Sequence, residues 1–108
     1  MKAENRRKSM KKWAEVRRLV EKERYMEANT LATSMYDCGH CSEYFSEKKD
    51  SCGKCPLQTE ENGKLKCHTL ILEVTERLSF LNFKNIDTEE VGRILKIIKA
   101  VQKLVMTK

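Results

Sequence analysis

The stretch DTEEVGRILKIIKAVQKLVM runs from Asp87 to Met106 and decides the fold class. Val91, Ile94, Leu95, Ile98, Val101 and Val105 recur at steps of one, three and four residues, which puts them on one face of an α-helix. Asp87 stands where an N-cap belongs. Glu90 follows three residues later, as in a capping box, and Ile86 and Val91 occupy the staple positions on either side. Glu89 and Glu90 lie at the positive end of the helix dipole, and Lys99, Lys103 and Lys108 lie toward its negative end. The pattern predicts a helix over 88–106. Gly92 inside it costs about 1 kcal/mol against alanine, and it is expected to mark a close helix crossing.

Working outward, residues 67–82 show the same periodicity. Cys67, Ile71, Val74, Leu78 and Leu81 form one stripe, Leu70 widens it, and Asn82 is the expected stop. Phe80 and Phe83 are available to the core. Residues 1–35 are a basic segment, within which 4–35 read as one long helix. Trp13, Val16, Val20, Leu31 and Met35 fall near one face, and Leu19 and Met26 lie on a second strip. Between these helices, residues 36–66 break the pattern. They hold four of the five cysteines, Gly39, Gly53, Gly63 and Pro56, and are too polar to be held by burial. About thirty structureless residues inside a small domain call for a staple. The expected fold is all-α, one domain over 1–108. A metal-stapled loop, 36–67, joins the long N-terminal helix to two amphipathic helices, 67–82 and 88–106.

The staple is written in the cysteines. Their spacing is C-x2-C-x10-C-x2-C-x11-C, at Cys38, Cys41, Cys52, Cys55 and Cys67. A C-x2-C pair presents two thiolates to one ion from a tight turn, and both pairs carry glycine at the same internal position, Gly39 and Gly53. Two such pairs close a tetrahedral four-sulfur site, for which zinc is the default ion. In a small domain such an ion supplies folding energy directly. Iron–sulfur is the alternative, because Cys55-Pro56 matches the cysteine-proline end of bacterial ferredoxin motifs. Cys67 is either an alternative ligand or the first residue of the helix stripe. His40 is expected to face solvent, and His68 stands beside Cys67 with no vacancy to fill. Cys38-Gly39-His40-Cys41 is also the active-site sequence of protein disulfide isomerases. No βαβ pattern surrounds it here, and the only proline follows Cys55, so the thioredoxin-like context is missing.

The signature Cys38, Cys41, Cys52, Cys55, Pro56, Leu57 and Cys67 resembles that of small cysteine-rich orphan proteins of phages and mobile elements. The resemblance covers residues 38–67 and implies a metal-binding knuckle.

Charge points to a partner. The net charge is +6, and residues 1–24 alone hold ten basic and four acidic side chains, which accounts for all of it. So localised an excess favours an anionic partner. Arg6, Arg7, Lys11, Arg17 and Arg18 are the expected phosphate contacts, which makes nucleic acid the first partner class. A protein partner is the second, with Trp13 as a candidate anchor, or homo-oligomer contact, should its face be left uncovered. Within the helix, Glu15 with Arg18 and Arg17 with Glu21 can neutralise part of the charge.

Other classes are excluded or weakened. The longest apolar runs are three residues, Leu70 to Leu72 and Leu104 to Met106, where a membrane span needs about twenty. No secretory signal pattern opens the chain, and an odd cysteine count suits a reducing, cytoplasmic setting. No phosphate loop, nucleophile elbow or H-E-x-x-H occurs. A closed four-sulfur zinc site offers no position for water. The expectation is a zinc-stabilised, non-catalytic regulatory or accessory protein.

Overall fold

The computed structural model describes residues 2–34, 37–40, 57, 59–61, 64–81 and 86–108. The described chain forms four helices: α1 (Ala3–Glu21), α2 (Tyr25–Thr33), α3 (Thr69–Leu81) and α4 (Thr88–Thr107). α1 packs on α2 and α4, and α3 packs on the same two, so the helices close a ring around one core. Trp13, Val16, Ala28, Val74, Leu78, Ile94, Ile98, Val101 and Val105 are fully buried at its centre. A short antiparallel ribbon precedes α3: β1 (Thr59–Glu61) pairs with β2 (Lys64–Lys66), with Glu61 opposite Lys64. Part of the expected loop is therefore regular. Leu57 is 1% exposed and joins the core cluster, so burial as well as any metal anchors the cysteine-rich stretch.

The helical fold class holds, but the long N-terminal helix is two helices. α1 stops at Glu21, and Glu23 adopts a left-handed backbone with φ 63°. The Glu23 N–H donates to the Val20 carbonyl at 3.0 Å and the Arg24 N–H to the Leu19 carbonyl at 2.8 Å, the pairing of a Schellman turn. Packing explains the break. At about 100° per residue, an unbroken helix would set Tyr25, Ala28 and Ala32 roughly 90–150° away from the Trp13, Val16 and Val20 face. The turn swings all six into one core, where each is buried. Leu19, read as off-face, is buried too, while Met26 is 69% exposed. A left-handed residue other than glycine is strained by about 1–2 kcal/mol, part of which glycine gives back as unfolded-chain entropy. Glu23→Gly is therefore expected to raise stability by about 0.5–1 kcal/mol, read as a higher denaturant midpoint at unchanged slope.

α4 follows its pattern with two corrections. Asp87 caps the helix by accepting from the Glu89 N–H at 2.9 Å, but Glu90 is turned to α3. It accepts from Arg77 at 2.5 Å and from Arg93 at 3.3 Å. Arg77, seconded by Arg93, holds the Glu90 carboxyl below the usual carboxylate range. Stability from this group is present above the ordinary carboxylate pKa and is lost as pH falls through the lowered value. Gly92 marks no crossing among the described residues, where a Cβ built on it meets nothing within 4 Å. Gly92→Ala should accordingly raise stability by about 1 kcal/mol, a gain visible in a thermal melt. Phe80, read as available to the core, is 58% exposed, and Ile86, at the outer staple position, is 52% exposed. Asn82 and Phe83 lie outside the described residues.

Candidate functional site

α1 sorts its side chains onto three faces. Trp13, Val16 and Val20 enter the core. The Asn5 backbone and the Ser9 and Lys12 side chains, at steps of four and three, meet Gly39, His40 and Ser34 respectively. Met10 and Ala14, with Arg6 and Arg17 at either end, look toward α4.

The second face seats the first cysteine turn. Gly39 lies so close to α1 that a Cβ on it would fall 1.6 Å from the Asn5 carbonyl oxygen. The His40 N–H donates to Ser9 Oγ at 3.1 Å, and His40 Nδ1 shares a 2.7 Å hydrogen bond with the same hydroxyl. Cys38 Sγ is 3.8 Å from that oxygen. His40 is fully buried, not solvent-facing as its place in the motif suggested. The signal for this lay in α1: Ser9 is a small polar residue among lysines and arginines, one helical turn from Asn5. Lys12 Nζ donates to the Ser34 carbonyl at 2.8 Å and sits 5.2 Å from the Trp13 ring centroid. Lys12 thus binds the end of α2 rather than adding to a solvated basic face.

Ser9 and His40 have the reach of a nucleophile and its base. Both are 0% exposed, and His40 Nε2 is buried with no hydrogen-bond partner among the described residues. Among the described residues this buried pair ties the cysteine turn to α1.

Of the expected metal ligands, Cys38 and Cys67 are described, and neither is in a disulfide. Both line one cavity of about 260 Å³, together with Lys12, Trp13 and Ile71. Cys67 also packs against the edge of the core, so it serves the helix stripe and faces Cys38's cavity at once. Cys41, Cys52 and Cys55 lie outside the described residues. Among the described residues no three cysteine, histidine or carboxylate groups gather as a metal site. The donors that are described, two thiols and an imidazole, suit zinc chemically. His68 is spoken for: its Nδ1 accepts from the Leu70 N–H at 3.1 Å and caps α3.

The expected phosphate contacts divide. Arg6 donates to the Val105 and Met106 carbonyls, at 3.2 and 2.6 Å, and so caps the negative end of α4. Arg17 pairs with Glu21 at 3.0 Å, and Arg18 pairs with Glu15. The Arg18 hydrogen bond, helped by its charge and that of Lys11, lowers the Glu15 carboxyl. Arg7 and Lys11 are exposed and make no ion pair with the described residues. α4 supplies cations that the N-terminal reading missed, Lys99 and Lys103, equally exposed and equally unpaired among the described residues. α1 carries seven basic and three acidic side chains and α4 four and two, so this one packed pair holds all +6 of the net charge. Where the two helices meet at the surface they leave a groove of about 550 Å³. Trp13, the candidate partner anchor, is 0% exposed and belongs to the core. No helix of the described residues is long and apolar enough to cross a membrane. No protein family, curated protein or solved structure matches the chain.

Proposed function

We propose that this protein is a non-catalytic regulatory or accessory factor of a reducing, cytoplasmic compartment. It binds an anionic macromolecule through the face built by α1 and α4. One observation carries this reading: two helices that pack on each other hold the entire net charge, +6, and five of their cations, Arg7, Lys11, Lys96, Lys99 and Lys103, are exposed and make no ion pair with the described residues. The nucleic-acid reading keeps Arg7 and Lys11 of the expected set, gives up Arg6, Arg17 and Arg18, and gains Lys99 and Lys103. Phosphate contacts of this kind give affinity and salt dependence without sequence preference. The test is binding of heparin, a polyanion with no sequence to read, across a salt series. Affinity should fall steeply as salt rises, and Arg7→Glu with Lys11→Glu should abolish it. No binding at low salt would remove the reading.

The cysteine-rich loop is proposed as a zinc knuckle on Cys38, Cys41, Cys52 and Cys55, with Cys67 as the alternative ligand. The cavity shared by Cys38 and Cys67 and the likeness of 38–67 to phage and mobile-element knuckles support it. Bound there, zinc would stabilise the loop without taking part in a reaction. Metal analysis with an absorption spectrum, on protein purified without air or added metal, decides the point. One zinc per chain and no colour agrees with the proposal. Iron with sulfide and a brown colour replaces it with an iron–sulfur redox or sensor protein.

A further inference from the structure

We infer that the groove between α1 and α4 takes an acidic amphipathic helix of a partner protein. This rests on the reading of α1 and α4 as the binding face and names the class of its partner. The groove is built from both helices. Met10 and Ala14 of α1 and Met106 of α4 give it an apolar lining, and Lys11, Lys99 and Lys103 supply its charge. Met10 is 38% and Met106 51% exposed, which sets two flexible apolar side chains beside three lysines. None of the three lysines makes an ion pair with the described residues.

This combination discriminates between anionic partners. A phosphate backbone would use the lysines and leave the thioethers against water. A helix with an apolar stripe flanked by glutamate or aspartate uses both at once. Methionine is polarisable and adjusts its shape, which suits a groove that receives a partner's side chains. Complementary charge then sets orientation and speeds encounter. From Lys99 to Met106 α4 rises about 10 Å, or two helical turns. The fitting partner therefore has apolar residues at i, i+3 or i+4, and i+7, with carboxylates beside them.

The experiment uses the full chain and three labelled probes. The first is a helical peptide of about 15 residues with leucine at those positions and glutamate on both flanks. The second is a scrambled peptide of the same composition. The third is a duplex DNA. The peptide should bind at least tenfold more tightly than its scrambled form. Met10→Ser with Met106→Ser should weaken the peptide at least tenfold and leave the duplex unchanged. Lys99→Gln with Lys103→Gln should weaken both. The substituted side chains are exposed, and a melting curve checks that each variant is folded. Equal binding of the two peptides, or indifference to the methionine changes, overturns the inference. Duplex binding without peptide binding also overturns it, while the anionic-partner reading stands. If neither probe binds, both readings fall.

Discussion

Gly39→Ala will lower the stability of the protein by about 3 kcal/mol, at the upper end for overpacking. The added Cβ would lie 1.6 Å from the Asn5 carbonyl oxygen and 2.4 Å from its carbon. Both are backbone atoms of a helix, so neither can yield as the end of a flexible side chain would. Either the first turns of α1 move or the cysteine turn lifts away. Lifting breaks the His40 N–H bond to Ser9 and gives water access to an imidazole that is fully buried. A melting temperature lower by roughly 10–20 °C is expected, together with faster hydrogen exchange at the His40 amide. A melt within about 2 °C of wild type would mean that the turn is not seated on α1. The same substitution at Gly92 has the opposite sign, because there the Cβ meets open space.

Trp13→Ala will cost about 4 kcal/mol, typical of a large aromatic side chain removed from a core. Trp13 is 0% exposed, is the largest of the fully buried side chains, and carries the Lys12 ammonium over its ring. It also lines the cavity shared by Cys38 and Cys67. Its loss should therefore do two things: unfold the protein at lower denaturant and speed reaction of these thiols with a soluble disulfide reagent. A variant that keeps its stability but loses partner binding would restore Trp13 as a surface anchor and contradict the packing described above.

The two C-terminal helices were legible because their apolar residues keep a 3.6-residue rhythm and Asp87 marks a start. The break at Glu23 was not, since residues 22–24 hold no glycine, proline or asparagine. Only the displaced strip of Leu19 and Met26 hinted at it, and Met26 proved to be exposed. The ribbon could have been read: the two residues between β1 and β2 are Asn62 and Gly63, the strongest short hairpin signal in a sequence. The basic face was half legible. Charge counting found the cations of α1, but three-dimensional packing decided that Arg6 caps α4 and that Lys12 holds the end of α2. It also brought in Lys99 and Lys103, about ninety residues away in the chain. The burial of His40 depended on a contact with Ser9, thirty-one residues earlier, and Ser9 among the basic residues of α1 was its one hint in the sequence.

Two like-charged helices packed side by side repel each other, and hydrophobic burial, the Arg6 cap and the Arg17–Gln102 hydrogen bond hold them together. Screening weakens that repulsion over a Debye length of about 10 Å at 0.1 M salt. Ionic strength is then a lever with two signs. It firms the empty protein while it loosens the complex, so the unliganded state is at its softest under the same dilute conditions in which it captures a partner best.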